Sequence, residues 1–118
     1  MSNENLIIPA TLEQDGQIKA LAALVLEQTR EVLRAKGYDS QVDREQVEIK
    51  PGRKYTRIDR GPHGGSGYLM IEHATGYIYG IKGYGVPHRG HRYGTLDTAD
   101  QWYWGEYAPR HVHGEGKA

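Results

Sequence analysis

The stretch Tyr68-Leu69-Met70-Ile71-Glu72-His73-Ala74-Thr75-Gly76-Tyr77-Ile78-Tyr79-Gly80-Ile81-Lys82 decides the fold. Tyr68–Glu72 is an apolar run of strand length, and Tyr77–Lys82 is a second run rich in aromatic and β-branched residues. Between them, His73-Ala74-Thr75-Gly76 has the composition of a compact turn, and Gly76 can take the positive φ such a turn requires. The pattern predicts a β-hairpin over about residues 67–82.

Upstream, Lys54–Asp59 alternates, with Tyr55, Arg57 and Asp59 on one face and Lys54, Thr56 and Ile58 on the other. Gln46–Ile49 alternates more weakly and reads as a short strand, ended by the Pro51-Gly52 turn. Gly61-Pro62-His63-Gly64-Gly65-Ser66-Gly67 reads as a flexible loop. Further back, Ile18, Leu21, Ala22, Val25, Val32 and Leu33 recur at helical spacing. Thr11 with Gln14 resembles a capping box, and Gly37 is a natural stop. A helix over about 13–36 follows, with Glu27–Arg30 and Glu31–Arg34 as charge pairs on its outer side. Residues 1–8 read as a loose tail or short edge segment, and 38–45 as a polar linker.

Downstream, Gly83–Gly94 holds four Gly, two Tyr, two His and two Arg in 12 residues and reads as a loop. Thr95-Leu96 looks like a short strand, Thr98 like the cap of a helical turn over Asp100–Trp104, and 109–118 like a disordered tail. The expected architecture is α+β: an N-terminal helix packed on a small antiparallel β-sheet containing the 67–82 hairpin. It is one domain over 1–118, with a β-rich binding unit at about 46–104.

Composition narrows the function. The 118 residues contain no Cys, which excludes disulfides, zinc fingers, iron–sulfur sites and thiol nucleophiles. No basic, then apolar, leader opens the chain, and no apolar run reaches the roughly 20 residues that span a bilayer. The expectation is a cytoplasmic chain without membrane contact. Phe is absent while Tyr occurs nine times, so aromatic bulk nearly always carries a hydroxyl, which suits half-buried surfaces. The small apolar share, 37%, favours self-association into a homo-oligomer. Net charge is zero, but residues 1–50 carry nine acids and six bases, and the remainder six acids and nine bases. That mild asymmetry falls short of a nucleic-acid footprint and fits a local positive pocket for a small anion.

Candidate chemistry concentrates in the Gly-rich stretch. Its glycines let backbone N–H groups approach an anion. Arg89 and Arg92 can fork onto phosphate oxygens, and Lys82 adds a point charge at the entrance. Tyr79, Tyr84 and Tyr93 can stack on a base. Alternatively, the glycines serve only turns and the arginines are solvated. Neither a dinucleotide fingerprint nor a Walker loop is present. His88-x-x-His91 and His111-x-His113 have spacings that could share a metal, but no acid and no helical pattern accompany them, so no metal or other cofactor is expected. His88 or His91 with Asp97 could form an acid–base pair, yet nothing in the spacing singles it out, and the reading is not that of an enzyme. Arg57 either clamps a ligand or pairs with a neighbouring acid. Trp102-Tyr103-Trp104 reads as packing against the helix or a neighbouring chain.

The run Lys54-Tyr55-Thr56-Arg57-Ile58, the later Thr75-Gly76-Tyr77-Ile78-Tyr79 and then Arg89-Gly90 resemble a family of small phage proteins. Its best-understood members are Thoeris anti-defence sponges, which sequester cyclic ADP-ribose isomers made by TIR-domain immunity proteins. The resemblance covers about residues 53–97. Tyr77 stands where that family has an acid, and Gly80-Ile81-Lys82-Gly83 where it has Lys-Pro-Ala. It implies a phage-encoded protein in the host cytoplasm, self-associating, that sequesters a cyclic nucleotide without catalysis, with Arg57 and Arg89 among its ligand contacts. With the residues read above, the expected site is Arg57, Tyr79, Lys82, Tyr84, His88, Arg89, His91 and Arg92, and the partner a small phosphate-bearing nucleotide. Two other readings stand beside it: a phage structural or assembly protein whose Gly/Tyr surface is a subunit interface, and a nucleic-acid binder.

Overall fold

A computed structural model describes residues 7–62, 66–83 and 85–112. Helix α1 (Leu12–Ala35) and a single turn α2 (Asp39–Val42) precede five strands: β1 (Glu45–Pro51), β2 (Tyr55–Pro62), β3 (Ser66–Glu72), β4 (Tyr77–Gly83) and β5 (Val86–Thr95). A 3-10 helix (Leu96–Gln101) and two short strands, β6 (Trp102–Tyr103) and β7 (Arg110–His111), complete the described chain. The five long strands form an antiparallel meander in the order β1-β2-β3-β4-β5. This is the expected α+β fold, a helix on one face of an antiparallel sheet.

Helix α1 begins with a complete capping box. Gln14 N–H donates to Thr11 Oγ1 at 3.0 Å, and Thr11 N–H donates to Gln14 Oε1 at 3.0 Å. Gln14 Nε2 also donates to His73 O in the β3–β4 turn, 2.9 Å away, which fastens the start of the helix to the hairpin. The buried stripe is Ile18, Leu21, Ala22, Val25 and Thr29, the spacing that puts one face of a helix on a sheet. It meets Ile58, Leu69, Ile71 and Ile78 from β2, β3 and β4, and Leu96 and Trp104 close the end of the layer. Val32 and Leu33, expected in this stripe, are only half-buried. Arg30 turns from its expected Glu27 partner to donate to Val42 O and Glu45 O, both at 3.1 Å, tying α1 to the start of β1.

Trp104 is fully buried within the chain. Its indole Nε1–H donates to Ala99 O at 3.0 Å, and its backbone N–H donates to Gln28 Oε1 on α1 at 2.7 Å. The aromatic triplet therefore packs against the helix, as one of its two readings had it.

Three local expectations change. Residues 83–94 are not a loop: 86–95 is strand β5, turned back by Gly85 at φ +70. Without β5, the backbone groups along one side of β4 would lack partners. Gly90 and Gly94 hid a strand whose alternation is broken by bulges. Leu96–Gln101 is a 3-10 helix capped by Thr95, whose hydroxyl accepts from Asp97 N–H at 3.2 Å, replacing the expected strand at Thr95-Leu96 and turn over Asp100–Trp104. Within 38–45, Asp39–Val42 takes a helical turn. At the C-terminal end, Arg110–His111 pairs with Trp102–Tyr103.

Candidate functional site

Strand β5 divides the expected site between the two faces of the sheet. Its pairing with β4 passes from Tyr79↔Arg92 to Gly80↔His88, so three residues, 89–91, bulge between consecutive positions of β4. The bulge sends Arg89 and Arg92 to the face away from α1. His88, His91 and Tyr93 go to the helix side, above Gly80.

On the outer face, Arg57, Met70, Tyr79 and Arg92 lie in register across β2 to β5. Arg89 reaches back over this face. Its Nη1 donates to the Tyr79 hydroxyl at 3.3 Å, and its Nη2 donates to Glu72 Oε2 at 3.2 Å and to the Tyr55 hydroxyl. The Tyr55 hydroxyl in turn donates to Glu72 Oε2 at 3.2 Å, and Thr75 Oγ1 donates to Glu72 Oε1 at 2.7 Å. Burial pushes the Glu72 carboxyl up, but hydrogen bonds from Thr75, Arg89 and Tyr55 outweigh it, and the group lies below its ordinary value. The same cluster raises Arg89 above its ordinary value, chiefly through the hydrogen bond to Glu72. Burial, helped by Glu72, pushes the Tyr55 phenol up.

Arg89 is thus held by three partners, yet its side chain stays 59% exposed. Its guanidinium lies 5.2 Å from the centre of the Tyr79 ring, and the Arg92 guanidinium lies 4.4 Å from that of Tyr77. A hollow of about 510 Å³ opens beside Arg89, lined by Tyr55, Lys82, Val86, Pro87 and His88. Among the described residues, neither Lys82 nor Arg92 meets a carboxylate.

The other expected residues sort as follows. Arg57 pairs with Asp59, Nε to Oδ1 at 2.8 Å and Nη2 to Oδ2 at 3.2 Å, while Lys50 Nζ lies 3.0 Å from the same carboxylate. Of its two readings, the structure shows the ion pair. Tyr79 is buried beneath Arg89, so its ring edge and hydroxyl, not an open face, meet the surface network. Tyr84 lies outside the described residues, as do His63 and His113.

On the helix side, the His88 and His91 rings stack with centroids 3.9 Å apart and planes 2° from parallel. His88 Nδ1 is buried without a partner among the described residues. The pair borders a cleft of about 540 Å³ between the sheet and the segment after Trp104, lined also by Glu45, Arg60, Tyr68 and Tyr93. Arg60 stacks 3.6 Å above the Tyr68 ring centre and donates to Thr29 Oγ1, Trp104 O and Glu106 O. Burial pushes the Tyr68 phenol up to about 12, against the pull of Arg60. Burial also raises the Glu45 carboxyl, only partly offset by Arg60, the Gly61 N–H and Arg30. Among the described residues, no group of three His, Asp or Glu side chains is placed to hold a metal ion.

Sequence reading missed Glu72 and Tyr77 on the outer face and Glu45, Arg60 and Tyr68 in the cleft. Tyr68 reaches the cleft because Asp59 pairs with Gly67 while Ile58 pairs with Leu69, a bulge that turns Tyr68 and Leu69 to the same side. Gly67 was its one visible signal. Glu72 could have been paired with Arg89 only if β5 had been recognised as a strand. No described helix is long and apolar enough to cross a membrane. Compared with family models, curated proteins and solved structures, the chain matches none.

Proposed function

We propose that the outer face of the sheet binds a small phosphate-bearing nucleotide and sequesters it without turning it over. The observation that carries this reading is Arg89: a guanidinium fixed by Tyr55, Glu72 and Tyr79, exposed, with Nε–H and one Nη1–H not used in those bonds. A donor pre-set in this way loses little freedom when it meets phosphate. Lys82 at the rim and Arg92 on Tyr77 add cations that meet no carboxylate among the described residues, and the half-buried Tyr55 and Tyr77 rings offer surface to a base. The hollow falls in the range of about 300–1,000 Å³ typical of small-ligand sites.

The resemblance to phage sponge proteins makes cyclic ADP-ribose isomers the first ligands to try, with cyclic di- and trinucleotides beside them, and the proposal it supports is action in the cytoplasm of an infected host. Calorimetry against this panel is expected to show saturable, salt-sensitive binding of at least one compound, recovered unaltered after heat release. The variant Lys82→Ala/Arg92→Ala is expected to weaken it roughly tenfold or more, each lost charge-assisted contact being worth about 1.5–3 kcal/mol. No binding across the panel defeats the reading, and a chemically altered ligand replaces it with an enzyme. The reading includes self-association. If the Arg/Tyr face is instead a subunit interface, the same double variant changes the sedimentation mass and leaves no ligand effect to measure.

A further inference from the structure

The helix-side cleft has its own chemistry. Every strand of the meander contributes to it: Glu45 from β1, Arg60 from β2, Tyr68 from β3, Gly80 from β4, and the His88–His91 stack from β5. Gly80 keeps its floor open, since a Cβ there would lie 3.2 Å from the Tyr93 hydroxyl and 3.6 Å from His91 Cβ. The Tyr68 hydroxyl is already engaged with Trp104 O and Glu106 O, so Tyr68 is a fixed wall with Arg60 laid on it.

Two polar groups keep unused capacity. Arg60 donates three hydrogen bonds, from Nη1 twice and Nη2 once, which leaves Nε–H and one Nη2–H. Glu45 is 7% exposed, accepts from the Gly61 N–H and forms no ion pair among the described residues, so its carboxylate keeps further acceptor sites. A desolvated acceptor and a guanidinium donor therefore line one cavity, alongside a flat imidazole stack whose His91 ring is exposed.

We propose that this cleft binds a planar heteroaromatic ring bearing an amide-type edge, a ring N–H beside a C=O, with the ring laid on the His88–His91 stack. The N–H donates to Glu45 and the C=O accepts from Arg60. Guanine, hypoxanthine and uracil carry that edge, and unsubstituted purine has neither its donor nor its carbonyl. Reading a base by stacking plus donors and acceptors along one edge is a common mode for unpaired bases. This inference is independent of the phosphate reading, because its probes carry no phosphate and its variants lie on the opposite face.

The test is saturation-transfer NMR titration of the full chain with guanosine, inosine, uridine and purine riboside. Guanosine and inosine are expected to bind at least about tenfold more tightly than purine riboside, because unsubstituted purine brings Glu45 no donor and Arg60 no carbonyl. Uridine is expected to keep the preference with weaker stacking. Glu45→Met, which fills the volume without an acceptor, is expected to erase the preference, and His91→Ala, at an exposed position, to weaken all four roughly tenfold. Equal affinity for guanosine and purine riboside, absence of binding, or a preference that survives Glu45→Met in a chain with unchanged thermal unfolding overturns the proposal.

Discussion

Two hairpins share strand β4 and use it differently. In β3–β4, Met70 faces Tyr79 and Ile71 faces Ile78, and Leu69 and these four side chains are all buried. In β4–β5 the register slips at three places, and no residue from Val86 to Thr95 is fully buried. The first hairpin supplies core. The second closes an edge, and its bulge distributes cations to one face and imidazoles to the other. Regular pairing lets a strand bury alternate side chains, whereas a bulge re-aims them and gives up burial to do so.

The largest effect expected from this contrast is on the regular side. Ile78 is fully buried in the core, so Ile78→Ala should lower unfolding free energy by about 2–5 kcal/mol, read by urea denaturation. The contrast fails if side-chain truncation within 88–92 costs as much. Next comes the backbone of the irregular hairpin. Gly94 sits at φ +74, and a Cβ there would lie 2.8 Å from Trp102 Nε1. Gly94→Ala should therefore cost about 1–3 kcal/mol in the same assay, through strain and overpacking and not through lost burial. Arg89→Ala should cost less than about 1 kcal/mol, since its side chain is 59% exposed and Glu72 keeps Tyr55 and Thr75 as donors, while removing most binding on the outer face. Large functional loss with small stability loss at Arg89, against the reverse at Ile78, would sharpen the division between the hairpins.

The same division decided what could be read from sequence. The hairpin at 67–82 was legible because its strands are apolar and its turn is marked by Gly76. The α1 boundaries were legible from Thr11, Gln14 and Gly37. Strand β5 was not legible, since Pro87, Gly90 and Gly94 are poor strand formers and the three-residue bulge destroys its period of two. That error merged Arg89 with His88 and His91 into one loop, although they point to opposite faces. Arg57 fared similarly: alternation placed it on one face with Asp59, but only the folded strand shows the two side chains joined by two hydrogen bonds. Glu45 gave no signal at all, because its burial depends on Arg30 of α1 and on the course of the chain after Trp104.

The finest distinction between the two faces lies in their carboxyls, which are shifted in opposite directions. Glu72, on the outer face, is below its ordinary value of 4.5, so between its folded value and 4.5 the unfolded chain binds more protons. Its contribution to stability is present above about pH 4.5 and is lost as pH falls through the folded value. Glu45, in the cleft, is above 4.5 because of its burial, so just above 4.5 the folded chain holds the proton more tightly, and stability declines as pH rises toward its folded value. Glu72→Gln should therefore flatten the rise of stability with pH below about 4.5, and Glu45→Gln should remove a decline just above it. Urea midpoints collected from pH 3 to 7 separate the two. If both variants change the same limb of the curve, the faces are not electrostatically distinct, and the buried acceptor on which base recognition in the cleft depends is absent.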